Sequence, residues 1–263
     1  MTKNVQCEVF VSKKVFEFVG GNFNHCSTIC PYNDGIIIAW YCGTNECSDD
    51  QSVLMLYSSK NDVSKPLRLN FKTGNPVLWN NNNQIYLLCS YFVDNNNIKI
   101  LSDKWKYCKL LLHKISINNN DLYLVNDPII IDGDHLLGRC KPVLWREKIY
   151  IPLYDEVNRT GVIVSGIDLN FELCGRIGQN MIQPTLWVNN NKLHSLSRTF
   201  HSIYHYSQYS NSDDGQIWSE PYLTDIPNRN NSLHALNWNG YQLLIWNDTQ
   251  SIQRTNLTTR VNY

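Results

Sequence analysis

The sequence lacks the long apolar runs and the charge excess that mark several large classes of protein. No apolar run approaches 18 residues, so no membrane-spanning helix is predicted. The 23 Lys and Arg residues balance the 23 Asp and Glu residues, and no basic stripe interleaves with aromatic residues. Nucleic-acid binding is therefore not indicated. We expect neither a membrane nor a nucleic acid as a partner.

The sequence also lacks the apolar core of a signal peptide and the even cysteine count of a disulfide framework. Residues 1–6 read Met-Thr-Lys-Asn-Val-Gln. The nine cysteines are scattered and odd in number, which favours a reducing compartment. We therefore expect a cytoplasmic, intracellular protein. The 34 asparagines indicate an AT-rich genome, that of a microbe or of a large DNA virus, in which case the location would be the host cytoplasm.

A helical period is missing as well, and in its place a short apolar phrase recurs along the chain. Three copies share a proline, an aliphatic residue and a closing tryptophan: Gly74–Trp79, Cys140–Trp145 and Ile182–Trp187. Weaker copies begin at His25 and Leu233. Each copy runs into a polar turn and then a second apolar strand. Asn and Gly in these turns tolerate the positive φ that tight β-hairpins require.

The spacing of the copies predicts the architecture. Successive copies are separated by 49, 66, 42 and 50 residues, and one propeller blade of four antiparallel strands needs about 40 to 50 residues. We predict an all-β propeller of five blades, in a single domain over residues 1–263. The segment Val5–Phe18 is expected to close the ring by completing the last blade. The longest interval is expected to hold an insertion at 94–109; six blades are the alternative, if it hides a degenerate blade.

Residues 211–218 resemble the Asp-box of sialidase-type propellers, Ser-x-Asp-x-Gly-x-Thr-Trp. Asn211 replaces the Ser and Ile217 replaces the Thr, which places Asp213 at the Asp of the motif. In such a box the Asp caps backbone N–H groups of a turn, the Gly takes a positive φ and the Trp packs between strands. The box predicts a fold and carries no chemistry of its own.

Further phrases extend the resemblance to sialidase-like proteins with Asp-box (BNR) repeats, over roughly residues 22–250. Their characteristic phrases, such as Gly-Asn-Pro-Val-Leu and Ile-Gln-Pro-Thr-Leu, occur here in the order that the family has. The matching segments are His25–Thr28, Ala39–Glu46, Gly74–Leu78, Lys141–Pro142, Tyr154–Glu156, Ile182–Leu186, Asn231–Ala235 and Trp246–Asp248. The resemblance implies a propeller fold and a glycan as the ligand.

The repeat also predicts where a site lies. In a propeller the innermost strand of each blade lines the central channel and the second strand returns beside it. Starts of first strands and ends of second strands therefore share one rim, and polar groups converging there are the default site hypothesis. The residues at the starts are His25, Asn75, Lys141, Gln183 and Asn231, and those at the ends are Glu46, Tyr91, Glu156, Arg198 and Asn247.

These side chains indicate an acidic sugar as the ligand. A Lys141 and an Arg198 that share a pocket would hold a carboxylate, the Arg by two parallel hydrogen bonds. The alternative makes both cations salt-bridge partners of Glu156. Similarly, Asn75 and Gln183 could bond neighbouring turns, His25 could be an interior histidine, and Glu46 could cap a loop.

The resemblance to sialidases also implies catalytic roles. Glu156 would activate Tyr154 as a nucleophile, and His25 would serve as general acid or base, since an imidazole titrates near neutral pH. The sequence departs from true sialidases, however. Residues 22–25 lack the first arginine of the carboxylate-binding triad, and only Asp49 and Asp50 are candidates for the acid.

Two functions follow from different classes of protein. One is a carbohydrate-active enzyme, a glycoside hydrolase or lyase acting on a glycan with an acidic sugar. The other is a non-catalytic propeller that binds a glycan or a protein. His234, which stands where relatives carry Asp and would contact the substrate, keeps the second function open. No cofactor and no metal site are predicted, and the cluster of cysteines at 26–47 is interpreted as small core residues.

Overall fold

The computed structural model describes residues 23–59, 63–93, 101–199, 206–238, 240–249 and 257–262. Within these ranges the chain is built of β-strands, with one 3₁₀ helix at Leu101–Tyr107 and no α-helix. The strands form five antiparallel sheets, one for each sequence repeat. The fold is thus the predicted five-bladed β-propeller. The strand expected to close the ring, Val5–Phe18, lies outside the described residues.

The chain divides into two compact units that meet in sequence between Arg139 and Cys140. The unit before this point contains two sheets. The first sheet has the strands β1 (Phe23–Tyr32), β2 (Gly35–Gly43), β3 (Ser52–Ser58) and β4 (Leu67–Arg68). The second has β5 (Thr73–Asn81), β6 (Gln84–Phe92), β7 (Cys108–Asn118) and β8 (Asp121–Ile131), and a short strand, β9 (Leu136–Gly138), follows it. The single domain predicted for residues 1–263 stays a prediction.

The unit that begins at Cys140 contains three sheets. The third sheet has β10 (Val143–Trp145), β11 (Lys148–Asp155), β12 (Thr160–Ile167) and β13 (Asn170–Ile177). The fourth has β14 (Met181–Asn189), β15 (Lys192–Thr199), β16 (Tyr206–Ser212) and β17 (Tyr222–Pro227). The fifth has β18 (Leu233–Trp238), β19 (Tyr241–Asn247) and β20 (Leu257–Asn262).

The longest repeat interval holds longer strands instead of a sixth blade. Strands β7 and β8 have 11 residues each, and the 3₁₀ helix lies between β6 and β7. The described residues 101–107 of the insertion predicted at 94–109 lie between β6 and β7, and its last two residues, Cys108 and Lys109, begin β7. The alternative of six blades is wrong for the part of the chain that the structure describes, which forms five sheets.

The recurring tryptophans pack one sheet against the next. Trp145 belongs to a buried cluster with Met181 and Leu186 of the fourth sheet. Trp187 likewise packs in a cluster with Leu233 and Leu244 of the fifth sheet. Burial of such a large aromatic side chain stabilises the contact between sheets. This packing explains why the copies in the third and fourth sheets close on tryptophan.

Positive backbone φ angles at the hairpins explain the asparagine-rich turns. Both central residues of the β5–β6 turn, Asn82 and Asn83, have φ of 50° and 61°. The β14–β15 turn repeats this with Asn190 and Asn191 at 47° and 56°. Two-residue hairpin loops need this conformation, which asparagine adopts more readily than most residues. The sequence prediction of tight hairpins is confirmed here.

The Asp-box is present, but its capping carboxylate belongs to Asp214 instead of Asp213. Asp214 Oδ1 accepts hydrogen bonds from the backbone N–H groups of Gln216 (2.8 Å) and Ile217 (2.9 Å). Gly215 has a φ of +79°, and a Cβ there would lie 2.5 Å from the ring of Tyr150. Asp213 pairs with Lys192 at 3.0 Å at the surface. Only the capping carboxylate is thus displaced by one residue from the sequence alignment, because Gly215 keeps the aligned position and its positive φ.

This turn predicts a pH-dependent effect of Asp214→Ala. Hydrogen bonds from two backbone N–H groups hold the pKa of Asp214 below its ordinary value of 3.8. The one from Ile217 has the larger effect, and the one from Gln216 the next largest. The ionised carboxylate therefore stabilises the fold above that pH, and its contribution is lost as the pH falls through the folded-state pKa. We expect the variant to melt at a lower temperature than the wild type at neutral pH, with the difference shrinking in acid. Thermal melts across this pH range measure it. Asp213→Ala is the control, and equal losses in the two variants would contradict this role for Asp214.

The cysteines in the described ranges are all free. Cys30, Cys42, Cys47, Cys89, Cys108 and Cys140 are buried, whereas Cys26 and Cys174 are partly exposed. Cys7 lies outside the described residues. Over the described part of the chain, no helix has both the length and the apolar character needed to cross a membrane. The cytoplasmic location stays a prediction.

Candidate functional site

The first strands of three sheets share a β-bulge near their starts. The register of β1 against β2 shifts between His25 and Thr28, and β5 and β14 shift in the same way after Gly74 and Ile182. A β-bulge bends its strand and redirects the bulged side chain. The residues with positive φ in the three bulges are Cys26 (55°), Asn75 (47°) and Gln183 (52°).

These bulges change one position of the predicted site. The structural counterpart of Asn75 and Gln183 in the first sheet is Cys26, whereas the sequence analysis chose His25. A positive φ costs a non-glycine residue about 1 to 3 kcal/mol, and such strain concentrates at functional sites. Cys26, Asn75 and Gln183, the three bulge residues with positive φ, are therefore candidates for a functional site. Lys141, just before β10, is half-buried.

In the unit that begins at Cys140, Gln183 links three sheets. Its Nε2 lies 3.5 Å from the hydroxyl of Tyr154 at the end of β11. Its Oε1 accepts a short hydrogen bond from the hydroxyl of Ser232, in the loop before β18. The thiol of Cys140 lies 3.4 Å from the carbonyl oxygen of Leu233. Within this unit, the start of β14, the end of β11 and the start of β18 thus come together.

Arg198 and Asn231 lie at the same loop. Arg198 lies on β15 and is paired with Ile182 of β14. Its Nε donates a hydrogen bond to Oδ1 of Asn230 at 2.5 Å. Asn231 is only 2% exposed, and its backbone bonds to the side chain of Asn228 in both directions. The Nδ2 of Asn231 is buried and has no hydrogen-bond partner. A buried donor without a partner is costly and calls for an acceptor from a ligand or water.

The catalytic pair predicted from sequence, Tyr154 and Glu156, has other partners. Tyr154 is buried and bonds to Gln183 as described above. Glu156 follows β11 and forms an ion pair of 2.6 Å with Arg159, three residues along the chain. Asp155 caps this turn by accepting from the backbone N–H groups of Val157 (2.9 Å) and Asn158 (2.8 Å). The roles of Tyr154 and Glu156 in catalysis stay predictions.

The two remaining predicted residues of this unit lie on the fifth sheet. His234 is partly buried on β18, opposite Ile245. Asn247 ends β19, where its carbonyl oxygen accepts from the N–H of Thr249 at 2.9 Å. Strand β18 pairs with β19 in an unbroken register. This sheet therefore presents its polar residues from the loop before β18, with no bulge among its described pairs.

In the unit that ends at Arg139, a polar network surrounds His25. Nδ1 of His25 lies 2.9 Å from Cys26 Sγ and 3.1 Å from the hydroxyl of Tyr41. The Tyr41 hydroxyl also donates to Glu46 Oε1 at 3.5 Å. Phe23 stacks on the His25 ring with the centroids 5.6 Å apart. The structure thus brings His25 and Glu46 together through Tyr41, while Asn75, 5% exposed, occupies the bulge of the next sheet.

Neither carboxylate proposed as the missing acid suits that role. Hydrogen bonds from Ser48, followed by those from Thr44, hold the pKa of Asp50 well below its ordinary value. Asp49 pairs with Lys72 at 2.9 Å and with Lys104 at 3.3 Å, and hydrogen bonds from these lysines lower its pKa too. A carboxyl group that stays ionised at neutral pH is a poor proton donor.

A pocket of about 350 Å³ lies where β7 begins and β8 ends, and it is lined there by Cys108 and Ile131. Its wall carries both charge signs, since it includes Lys106, Lys109, Asp132 and Asp134. None of the site residues predicted from sequence is among its lining residues. Across the described ranges, no three His, Cys, Asp or Glu side chains are grouped closely enough to hold a metal ion.

Several residues that the structure places in these networks were not predicted from the sequence. They are Cys26, Tyr41, Asp155, Arg159, Asn230 and Ser232. The repeat itself could have identified Cys26. When the copies of the repeat are aligned, Cys26-Ser27-Thr28 corresponds to Gln183-Pro184-Thr185. The other residues have no equivalents in the repeated phrase, so their roles emerge only from the contacts.

Comparison with known proteins identifies a family model and a set of structural neighbours. The model described as a BNR repeat-like domain matches residues 35–262. A comparison with curated proteins gave no significant match. Among solved structures, a Trypanosoma rangeli sialidase in complex with sialic acid is similar, at 12% identity and a TM-score of 0.61 over 85% of this chain and 43% of that chain.

Two further neighbours have different descriptions. A protein of unknown function from Dyadobacter fermentans is 11% identical, with a TM-score of 0.66 over 85% of this chain and 74% of that one. A Bombyx mori GH32 β-fructofuranosidase is 12% identical, with a TM-score of 0.56 over 87% of this chain and 55% of that one. This chain spans less than half the length of the sialidase. At such identities the likeness concerns the fold alone.

Proposed function

Because the chain belongs to the family of BNR repeat-like domains, we propose that it is a carbohydrate-active enzyme, a glycoside hydrolase or lyase, acting on a glycan that contains an acidic sugar. The fold alone cannot choose a function, since propellers host many. The proposal therefore depends on the polar residues gathered in the unit that begins at Cys140.

One observation carries the proposal most directly. The buried Nδ2 of Asn231 has no hydrogen-bond partner, and its neighbours Asn230 and Ser232 engage Arg198 and Gln183. An unused donor thus belongs to the residue that follows Asn230, the partner of the Arg198 guanidinium group. Sugar hydroxyl and carboxylate oxygens are acceptors of the kind that such a donor requires.

The proposal assigns the following roles within this unit. Arg198 and Lys141 bind the carboxylate of the sugar, and Gln183 and Asn231 bind its hydroxyl oxygens. His234 and Asn247 contact the sugar from the fifth sheet. Glu156 serves as a base or activates Tyr154. The acid/base role of His25, and the substrate contacts of Glu46 and Asn75, remain those predicted from sequence.

A second candidate, a non-catalytic binder of glycans or proteins, is favoured by the state of Glu156. Its carboxylate is only 16% exposed and is held by Arg159 at 2.6 Å. The ion pair engages a carboxylate oxygen of Glu156 with Arg159, and that oxygen would otherwise be available to the Tyr154 hydroxyl. The missing arginine of the sialidase triad points in the same direction.

An activity screen separates the two candidates. The protein is incubated with sialylated and uronic-acid oligosaccharides and with neutral ones, and the products are identified by mass spectrometry. If the protein is an enzyme, we expect it to cleave an acidic substrate. Hydrolysis would release free reducing ends, whereas a lyase would leave an unsaturated sugar. The Glu156→Gln variant should lose this cleavage. Binding of acidic glycans without any product would support the non-catalytic candidate instead. Absence of both binding and cleavage across the panel would contradict both candidates.

A further inference from the structure

Cys26 has no role in the proposed glycan function, yet it forms a close contact with His25. Sγ of Cys26 lies 2.9 Å from Nδ1 of His25, and the same nitrogen lies 3.1 Å from the hydroxyl of Tyr41. A thiol within hydrogen-bond reach of an imidazole, which is in turn held by a third group, is the arrangement of an activated nucleophile. All three residues belong to the unit that ends at Arg139.

The surrounding charges favour the thiolate form of Cys26. Burial disfavours the thiolate, but Arg139 and the hydrogen bonds from His25 and Tyr41 outweigh it, so the pKa of Cys26 lies below its ordinary value. Burial, followed by the nearby Cys26 and Glu46, raises the pKa of Tyr41 well above its ordinary value. Tyr41 therefore keeps its proton, and its neutral hydroxyl remains a hydrogen-bonding neighbour of the Cys26–His25 pair.

The other cysteines of the described part of the chain differ from Cys26. Burial raises the pKa of both the Cys47 and Cys89 thiols to about 12. Cys174 is the other partly exposed cysteine, and its Sγ lies 3.2 Å from the carbonyl oxygen of Gly215. The polar neighbour of this thiol is a carbonyl oxygen, whereas that of Cys26 is an imidazole nitrogen, so Cys174 is a matched comparison.

The backbone adds a separate observation. Cys26 has a φ of 55° at the bulge of β1, the position that Asn75 and Gln183 occupy in the bulges of their own sheets. The bulge places Sγ beside the ring of its own neighbour, His25, although adjacent residues on a regular strand point to opposite faces. The strained bulge thus creates the contact between the two side chains.

We propose that Cys26 and His25 form a nucleophilic thiol–imidazole pair that is a covalent modification site for soft carbon electrophiles. The thiol proton leaves to Nδ1 of His25 or to solvent. The sulfur lone pair then attacks the electrophilic carbon. With iodoacetamide, one S–C bond forms as one C–I bond breaks, and iodide leaves with the bonding electron pair. Neither an oxidant nor a reductant is needed.

The test is alkylation of the full chain by iodoacetamide, followed at each cysteine by peptide mass spectrometry over a range of pH. We expect the alkylation rate of Cys26 to rise with a midpoint below the ordinary thiol pKa of about 8.5. In mildly acidic solution, Cys26 should react at least about threefold faster than Cys174, because each unit of lowered pKa raises the thiolate fraction about tenfold while reducing its nucleophilicity by less. A Cys26 midpoint at or above that of an ordinary thiol, or a rate no faster than that of Cys174, would overturn the proposal.

Variants separate the pair from a merely accessible thiol. Cys26→Ser should abolish the fast reaction, whereas Cys174→Ser should keep it. His25→Gln and Tyr41→Phe should each move the midpoint of Cys26 upward, because each removes a hydrogen bond to the thiolate. An unchanged midpoint in folded His25→Gln protein would also overturn the proposal. If both variants fail to fold, the pH profile of the wild type decides alone.

Discussion

Replacing Arg198 with Lys is expected to weaken the binding of an acidic oligosaccharide by about ten- to more than a hundredfold. Lysine keeps the positive charge but loses the planar fork that holds a carboxylate by two hydrogen bonds. It also loses the Nε contact of 2.5 Å to Asn230, which orients the guanidinium group. Loss of a charge-assisted hydrogen bond costs about 1.5 to 3 kcal/mol. Isothermal titration calorimetry on the wild type and the variant measures the effect.

The control for this prediction is a neutral analogue with its carboxylate reduced to an alcohol. It should bind the wild type poorly, and Arg198→Lys about equally poorly. Arg176→Lys serves as a matched variant, because Arg176 is an exposed cation of the same unit that lies 3.9 Å from Asp155. We expect it to leave the affinity unchanged. If the neutral analogue binds the wild type as tightly as the acid does, Arg198 and Lys141 are scaffold residues and the acidic-sugar proposal fails.

The fold could be predicted from the sequence because its signals are local and repeated. The proline–aliphatic–tryptophan phrase marks the first strand of a blade, and its tryptophan packs on the next sheet, as Trp145 and Trp187 do. Asparagine pairs such as Asn82 and Asn83 mark the hairpins by tolerating positive φ. Each of these signals is set by a few neighbouring residues, so no knowledge of long-range contacts was needed.

The site was less predictable because a one-residue shift changes which side chain is presented. Because of the bulge in β1, the residue equivalent to Asn75 of the second sheet is Cys26, whereas His25 was predicted. In the Asp-box a shift of one residue moves the capping role from Asp213 to Asp214. Counting back along the repeat identifies the first of these shifts, whereas the second depends on which carboxylate the turn geometry brings to the backbone N–H groups.

Side-chain partners were the least predictable feature. The sequence analysis weighed Lys141 and Arg198 as partners of Glu156, yet Glu156 forms its ion pair with Arg159 in the same turn. Arg198 reaches Asn230, which lies 32 residues further along the chain. Several cations of similar length were available to one carboxylate, and only the packing of the turn decides among them.

Replacing Thr185 with Val is expected to destabilise the protein by about 1 to 3 kcal/mol, the cost of leaving a buried donor without its acceptor. Thr185 is fully buried on β14, and its Oγ1 accepts from the backbone N–H of Ala235 on β18 at 2.9 Å. Valine has nearly the same shape, so the substitution removes the acceptor with little change in packing. The contact joins the first strands of the fourth and fifth sheets. Unfolding by urea, followed by fluorescence, measures the change in the free energy of unfolding.

Two further threonines make this prediction specific to the hydrogen bond. Thr28 accepts from the N–H of Leu78 at 3.2 Å in a less buried setting, so Thr28→Val should cost less than Thr185→Val. The Oγ1 of Thr160 is buried without a partner, so Thr160→Val removes an unsatisfied group and should be neutral or stabilising. If Thr160→Val is as destabilising as Thr185→Val, the loss reflects the valine side chain itself. The hydrogen bond between β14 and β18 would then contribute little to stability. The contact between the fourth and fifth sheets would instead be stabilised by the apolar cluster around Trp187.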